Sequence, residues 1–179
     1  MGAWDELDTL ISAEVKLDDL DKISDLDDEY GIFDDLKEYC TDLKTAIRVG
    51  SHKGVDDLAT RDRSFQEQYI AKNCKNPSGM LASSINKNET NSSGDYFEFI
   101  IGTIINHIYP LAVEYGRDEV HPIPPKKRLR FYGEGGYLIY PLMSREAKPR
   151  PFVAPAYDDT LELSEKIMLA YVGDEIENI

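Results

Sequence analysis

At Asn76-Pro77-Ser78-Gly79 the hydrophobic period of this chain changes, and the change limits what it can fold into. Over residues 4–47 apolar side chains recur at three and four: Leu7, Leu10, Ile11, then Leu17, Leu20, Ile23, Leu26, Tyr30, Phe33, Leu36, Tyr39, Leu43 and Ile47. That spacing predicts an amphipathic helical arm with acids on its outer face, divided by Gly31 into two helices. Residues 50–54, Gly-Ser-His-Lys-Gly, read as a turn. A further helix is expected over 55–74, burying Leu58, Phe65, Tyr69 and Ile70. Beyond Gly79 the pattern is that of strands. Residues 80–87 are a short strand candidate and 88–94 a polar turn. Residues 96–106 are the clearest strand, with Tyr96, Ile100 and Ile104 on one side and Phe97, Phe99, Ile101 and Ile105 on the other. A strand apolar on both faces belongs inside a sheet that the preceding helix covers. Helices followed by strands in 179 residues point to an α+β fold. The organisation expected is an acidic helical arm over 1–50 and an α+β domain over 51–179.

The last third alternates between loops and short elements. Residues 109–115 suit one or two helical turns closed by Gly116, and Pro122, Pro124 and Pro125 make 117–127 an extended loop. Residues 128–132 and 137–142 flank Gly133-Glu134-Gly135-Gly136, which predicts a projecting β-hairpin over 128–142 roughly 20 Å long. Leu129 and Phe131 alternate there with Arg128, Arg130 and Tyr132, giving an apolar face and a cationic one. A final helix is expected over 156–177, with Leu161, Ile167, Met168, Tyr171 and Val172 inward. Pro155 suits an early helical position, and Asp158, Asp159 and Glu162 suit the first turns.

Charge is segregated along the chain. The formal net charge is -14, of which residues 1–45 carry -11 (15 acids, 4 lysines). Residues 126–150 hold seven bases against two acids, a net of +5. A net anion repels phosphate, so tight nucleic-acid binding by the whole surface is disfavoured. An acidic surface suits instead a passage for DNA that must not stick. The acidity lies in one arm, and Lys (12) outnumbers Arg (8), a pattern unlike halophilic adaptation. No run approaches 18 apolar residues, so no membrane span is expected, and the acidic N-terminus has no basic or apolar leader segment. Gly2 lacks the Ser or Thr a myristoylation site needs at position six. Cys40 and Cys74 have no metal-ligand spacing and read as two reduced thiols.

No catalytic constellation emerges. His52, His107 and His121 sit on a turn, a strand end and a proline loop, without second ligands at zinc spacing. The Asp-Asp-Leu repeats lack the glycine and terminal Glu of a calcium loop. Ser78, Ser83 and Ser84 lack the nucleophile-elbow pattern, and Gly133-Glu134-Gly135-Gly136 lacks the Lys-Ser/Thr of a phosphate loop. Asp95, Glu98 and Glu114 read as solvent-facing acids rather than a catalytic pair. Neither a cofactor nor a metal is expected. Residues 126–150 interleave bases with Phe131, Tyr132, Tyr137 and Tyr140, a composition suited to a protein interface or to nucleic acid.

Four segments in fixed order resemble a known family. They are Pro77-Ser78-Gly79-Met80-Leu81-Ala82-Ser83-Ser84-Ile85; Tyr109-Pro110-Leu111-Ala112-Val113-Glu114-Tyr115-Gly116; the strand-like Leu129-Arg130-Phe131 with its partner; and Lys148-Pro149-Arg150-Pro151-Phe152-Val153-Ala154-Pro155-Ala156. Together, over residues 55–175, they are similar to the gene-product-ten-like tail-component family of tailed phages, which supplies tail-completion or head–tail joining proteins. Arg117 stands where the family usually has Thr. The resemblance implies an α+β fold: a helix and a C-terminal helix packed on a small antiparallel sheet. It marks Ser78, Gly79, Leu81, Glu114, Gly116, Pro151, Phe152 and Pro155 as structural positions.

What the resemblance implies about function is assembly without an active site. Such proteins are similar in forming rings, usually six-fold, between head-closure or connector proteins and the tail-terminator or tail-tube proteins. DNA passes through the lumen, and the place of work is the head–tail junction of a virion made in the host cytoplasm. On this reading Lys126, Lys127, Arg128, Arg130, Phe131, Tyr132, Tyr137, Tyr140 and Arg145 form a subunit or ring interface, facing the acidic 1–45 arm of a neighbour. A tail terminator or head-closure ring shares this geometry. Two other classes compete: a nucleic-acid-binding module using 126–150, and a small metal-dependent hydrolase built on the acids.

Overall fold

The computed structural model describes residues 8–18, 20, 22, 34–74, 79–103, 108–132 and 138–179. The described elements are β1 (Thr9–Glu14), α1 (Asp34–Asn73), α2 (Met80–Ser83), β2 (Ile85–Ser93), β3 (Tyr96–Thr103), α3 (Ile108–Glu114), β4 (Phe131–Tyr132), β5 (Leu138–Ile139) and α4 (Val153–Glu177). The fold is α+β: an antiparallel sheet of order β1-β3-β2 carries the long α1 and the C-terminal α4 on one face. No helix among the described residues is long and apolar enough to cross a membrane.

β3 is central, as its composition predicts. Phe97, Phe99 and Ile101 are buried toward the helices, while Tyr96, Glu98 and Ile100 on the other face are half-buried. Ile104, Ile105 and His107 lie outside the described residues. β2 departs from the expected 80–87 strand and 88–94 turn. Residues 80–83 form a helical turn, and the strand runs on to Ser93, with a register shift between Glu89 and Asn91. The ladder to β3 holds these polar residues in a strand. Their helix-facing members also find partners on α1: Lys87 Nζ donates to Asp56 Oδ1 at 2.7 Å, and His52 Nε2 lies 3.0 Å from Glu89 Oε1.

The N-terminal segment is not all helix. Thr9–Glu14 pairs with β3 from Thr9 opposite Ile101 to Glu14 opposite Tyr96. Thr9 and Ile11 point into the core and Leu10, Ser12 and Glu14 point out, so the side chains follow a period of two. Leu7, Leu10, Ile11 and Leu17 also fit a three-and-four spacing, which made this stretch look helical. Here pairing with a strand some 85 residues away overrides the local pattern. Residues 23–33 and Gly31 among them lie outside the described residues.

The expected turn at 50–54 is absent, and α1 is one helix of 40 residues, about 60 Å long. The expected domain division at residue 50 therefore falls inside it. Cys40, Lys44, Ala46, Gly50 and Gly54 line the buried side of its first half, whereas Leu36 and Tyr39 are exposed. In its second half Leu58 and Ile70 are buried as expected, while Phe65 is only half-buried. Gly50 and Gly54 are contact residues. A Cβ on Gly50 would stand 2.7 Å from Val172 Cα and 2.8 Å from the Tyr171 carbonyl oxygen, and one on Gly54 would stand 2.6 Å from Met168 Sδ. Two glycines one turn apart thus let α4 pass with nearly touching backbones. The helices run antiparallel, because Gly50 meets Val172 while Asn73 Nδ2, at the other end, donates to the Pro151 carbonyl at 2.9 Å. On α4 the buried residues are Ala156, Thr160 and Ile167, and the expected inward Leu161 is exposed.

Helices and sheet share one apolar core that includes Val55, Leu58, Ile70, Phe99, Ile101 and Phe152. A polar group sits within it. Asp62 is fully buried; Gln66 Nε2 donates to its Oδ2 at 2.7 Å and also lies 3.3 Å from Thr9 Oγ1. Thr160 Oγ1 is 3.5 Å from Asp62 Oδ1, so α1, β1 and α4 meet around one carboxyl group. Burial pushes its pKa up from 3.8 to about 6, against the opposing hydrogen bonds from Gln66, Thr160 and Thr9.

Two predictions follow from this packing. Gly50→Ala adds a methyl where backbone already stands and should destabilise the fold by about 1–3 kcal/mol. Gly173→Ala, on α4 and with nothing within 4 Å of the new Cβ, should stabilise it by about 0.5–1 kcal/mol through helix propensity. Urea midpoints of the two variants should therefore move in opposite directions. For Asp62 the raised folded pKa means that its stabilising contribution is complete below about pH 4 and is lost as pH rises through about 6. The loss is on the order of 3 kcal/mol at 1.36 kcal/mol per unit. Asp62→Asn should remove this step, so the stability difference between wild type and variant should change between pH 4 and pH 7. A constant difference would mean that the carboxyl does not titrate in this range.

Candidate interaction site

Three of the four motif segments meet in the core near the start of α4. Glu114, the last residue of α3, is buried, and its carboxylate points at the first amides of α4. Oε2 accepts from the N–H groups of Phe152 (2.7 Å) and Val153 (3.1 Å), and Oε1 accepts from Ala154 (3.2 Å). The α4 N-cap position is Phe152, which offers no side-chain acceptor, so a residue 38 positions earlier performs the capping. Three otherwise orphaned donors and the positive end of a 25-residue helix offset the desolvation of the carboxylate. Arg150 N–H donates to the Val113 carbonyl at 2.7 Å and fixes the same joint. Phe152 then fills the core with Leu81, Ile85 and Val113, and Pro155 sits in the first turn of α4. Gly79 takes a left-handed conformation (φ +74°) at the start of α2. Ser78 lies outside the described residues.

From this joint rises a ribbon. Gly116 has φ +77°, and a Cβ there would stand 2.6 Å from the Ala147 carbonyl oxygen, so only glycine fits the root. Arg117 and Ala147 exchange backbone hydrogen bonds of 2.9 and 2.8 Å, as do Val120 and Ser144 at 2.9 Å each. Higher up, Leu129 N–H donates to Pro141, and Phe131 and Tyr132 pair with Ile139 and Leu138. Between these ladders residues 121–128, with a cis Pro124–Pro125 bond, stand against only 142 and 143. The expected 128–142 hairpin is therefore the upper part of a longer ribbon, described over 117–132 and 138–147. Among the described residues its regular ladder is two residue pairs, shorter than the roughly 20 Å hairpin expected. The prolines of the expected 117–127 loop interrupt it.

The ribbon carries most of the predicted interface residues. Lys126, Lys127, Arg128, Arg130, Tyr140 and Arg145 are all exposed on it, and Arg128 Nη1 lies 3.3 Å from the Tyr140 carbonyl oxygen. Tyr137 and the side chains of Phe131 and Tyr132 lie outside the described residues. Sequence reasoning missed the apolar half of this surface. Ile123 is 79% exposed and Leu142 66%, with Leu138, Ile139 and Met143 also exposed. Apolar residues between prolines have no periodicity, so the sequence offered little to separate surface from core. Several large apolar side chains together on a projecting element mark a contact surface.

The candidate chemical groups are scattered. His52 lies on α1, edge-on to Phe97 at 5.1 Å, and holds Glu89 below the usual carboxylate range through its hydrogen bond. His121 is exposed beside Glu119 at 3.3 Å. Glu98 is held low by hydrogen bonds from Thr90 (2.6 Å) and Tyr96 (2.7 Å), Asp95 pairs with Arg48, and Glu114 caps α4. These three carboxylates serve three separate structural contacts. Cys40 and Cys74 are free and buried, and burial pushes the Cys74 thiol up, partly opposed by Arg150. Among the described residues no group of three His, Cys, Asp or Glu could hold a metal ion. Comparison with protein-family models, curated proteins and solved structures gave no match.

The cap can be tested directly. Glu114→Ala leaves three amides near the core without their acceptor and should cost about 2–4 kcal/mol. Glu114→Gln keeps one acceptor oxygen and should fall between. Chemical denaturation would measure both, and an Ala variant as stable as wild type would remove the cap from the account.

Proposed function

We propose that this chain is a structural virion protein of a tailed phage, forming a ring, six-fold by analogy, at the head–tail junction. There it joins the head-closure or connector proteins to the tail tube and completes the tail, without catalysing a reaction. The observation that carries the reading is the 117–147 ribbon, a basic and apolar contact surface held on a rigid root. The root supports it further, because three of the four segments carrying the family resemblance come together there: Leu81, Val113 and Phe152 share the core, and Glu114 caps α4. An interface protein needs such a root, since a surface positioned by a packed core loses less entropy on docking. The net charge of -14 suits a lumen through which DNA passes without sticking. Tail completion is the specific role proposed; a tail terminator or head-closure ring would use the same surface one layer away.

Gold-labelled antibody against the chain, on particles from the genome that encodes it, should decorate the head–tail junction. Unlabelled particles, made while the protein is present in the infected cell, would overturn the reading. The ribbon's part is tested by Arg128→Glu with Arg130→Glu. The pair should leave the circular dichroism unchanged and reduce the yield of joined particles about tenfold or more. Wild-type yield would remove the charged ribbon from the joining step, and salt-sensitive retention of the wild-type chain on DNA would favour the nucleic-acid reading.

A further inference from the structure

We propose that the groove between the outer edge of β1 and α4 receives the 117–147 ribbon of a second copy of this chain. The proposal deepens the ring reading and takes from it that the neighbour is another copy. The groove consists of two depressions of about 310 and 390 Å³ that meet at Leu10 and Tyr157. Ile11 lies at its floor, and Leu161 and Met168 of α4 form one wall. The wall continues in an apolar face that nothing in the described fold covers: Leu161 is 57% exposed, Leu169 66%, and Leu10 across the groove 52%. Leu161 and Leu169 are ordinary core residue types on a helix whose opposite side is already packed on α1.

The β1 edge adds main-chain capacity. β1 is the outer strand of its sheet, and Val15 N–H donates to the Asp95 carbonyl at 2.7 Å in the β1–β3 register. Antiparallel alternation then directs the backbone groups of Thr9, Ile11 and Ala13 toward β3, and those of Leu10, Ser12 and Glu14 outward. Among the described residues no strand meets that outer edge. An extended segment laid along it would gain backbone hydrogen bonds as well as apolar contact.

Charge identifies the occupant. Residues 153–177 hold seven acids and one lysine, and Asp158, Glu162 and Glu165 are exposed near Leu161. The ribbon is the complementary object: extended, apolar at Ile123 and Leu142, and rimmed by Lys126, Lys127, Arg128, Arg130 and Arg145. One chain thus carries two unlike patches, each apolar and each bordered by the opposite charge. That is the requirement for a heterologous contact, which closes into a ring when the rotation between subunits divides a full turn. Like-charged patches facing each other would be rejected. The chain's own ribbon leaves Ile123 and Leu142 exposed, so it does not fill the groove from which it rises.

The test uses the full chain with one cysteine on each surface, Leu161→Cys in the groove and Leu142→Cys on the ribbon; the native Cys40 and Cys74 are buried. Under mild oxidation the double variant should give a ladder of covalent oligomers ending at the ring number. Each single variant should stop at two chains. In sedimentation velocity the wild-type chain should self-associate with rising concentration, and Leu161→Asp should weaken this at least tenfold with unchanged circular dichroism. A wild-type chain that stays monomeric, a double variant without a ladder, or a Leu161→Asp variant that associates normally would each overturn the contact. Label at the head–tail junction without a ladder would leave the ring reading standing and remove this contact. A ladder without label would establish the contact and remove the virion reading.

Discussion

The hold of Glu114 on the first amides of α4 is the joint on which the arrangement depends. α4 begins directly after a proline-rich extended segment and has no acceptor at its own N-cap position. Without an outside acceptor its first donors would face the core unsatisfied, and Phe152, the residue that fills the core, would have no fixed direction of entry. The carboxylate comes from α3, which Gly116 separates from the rising arm of the ribbon; the descending arm ends at Ala147, six residues before α4. One side chain therefore fixes a helix start, a core plug and both feet of a projecting element. The consequence is a ribbon whose origin is fixed.

The rest of the scaffold shows how backbone contact and buried polarity divide the work. At one end of the α1–α4 pair, Gly50 and Gly54 remove side chains so that the helices meet closely. Midway along the pair, Asp62 and Gln66 reach across to Thr160 and Thr9 and bring β1 into register with both helices. The glycine contact favours the fold at any pH. The Asp62 cluster costs stability at neutral pH, because a charge must be kept in the core. Its compensation is specificity: a slip of β1 by one residue would replace Thr9 with Leu10 at the carboxyl and turn every β1 side chain to the wrong face.

How much of this was legible in the sequence depends on how local each signal is. β3 announces itself, because a run such as Phe97 to Ile101 is apolar on both sides and has few alternatives. The C-terminal helix was legible through an equally local signal, Pro155 followed within a few residues by Asp158, Asp159 and Glu162. β1 was not, because six residues with both a two-period and a three-four-period reading take their state from a partner far along the chain. The Gly-Ser-His-Lys-Gly stretch was misread because glycine ordinarily breaks helices. Here a partner helix needs the space, and only the fold shows that partner. Of the candidate site, the basic residues were legible as a charge run, whereas Ile123, Leu142 and Leu161 were not, since an apolar residue does not state in sequence whether it will be covered.

That asymmetry bears on what the surface is for. A chain that leaves leucine and isoleucine exposed on both a ribbon and a helix face carries an aggregation hazard unless a partner covers them. The charges bordering the two surfaces limit that hazard in a directional way. Two groove faces repel, two ribbons repel, and only ribbon against groove is attractive, so the apolar residues are available to one geometry of encounter. Such a contact forms head to tail, leaves one unfilled groove and one unfilled ribbon at every intermediate length, and satisfies all of them only on closure. On the proposed contact, the acids of α4 set against the bases of the ribbon would separate a closed ring from an open aggregate.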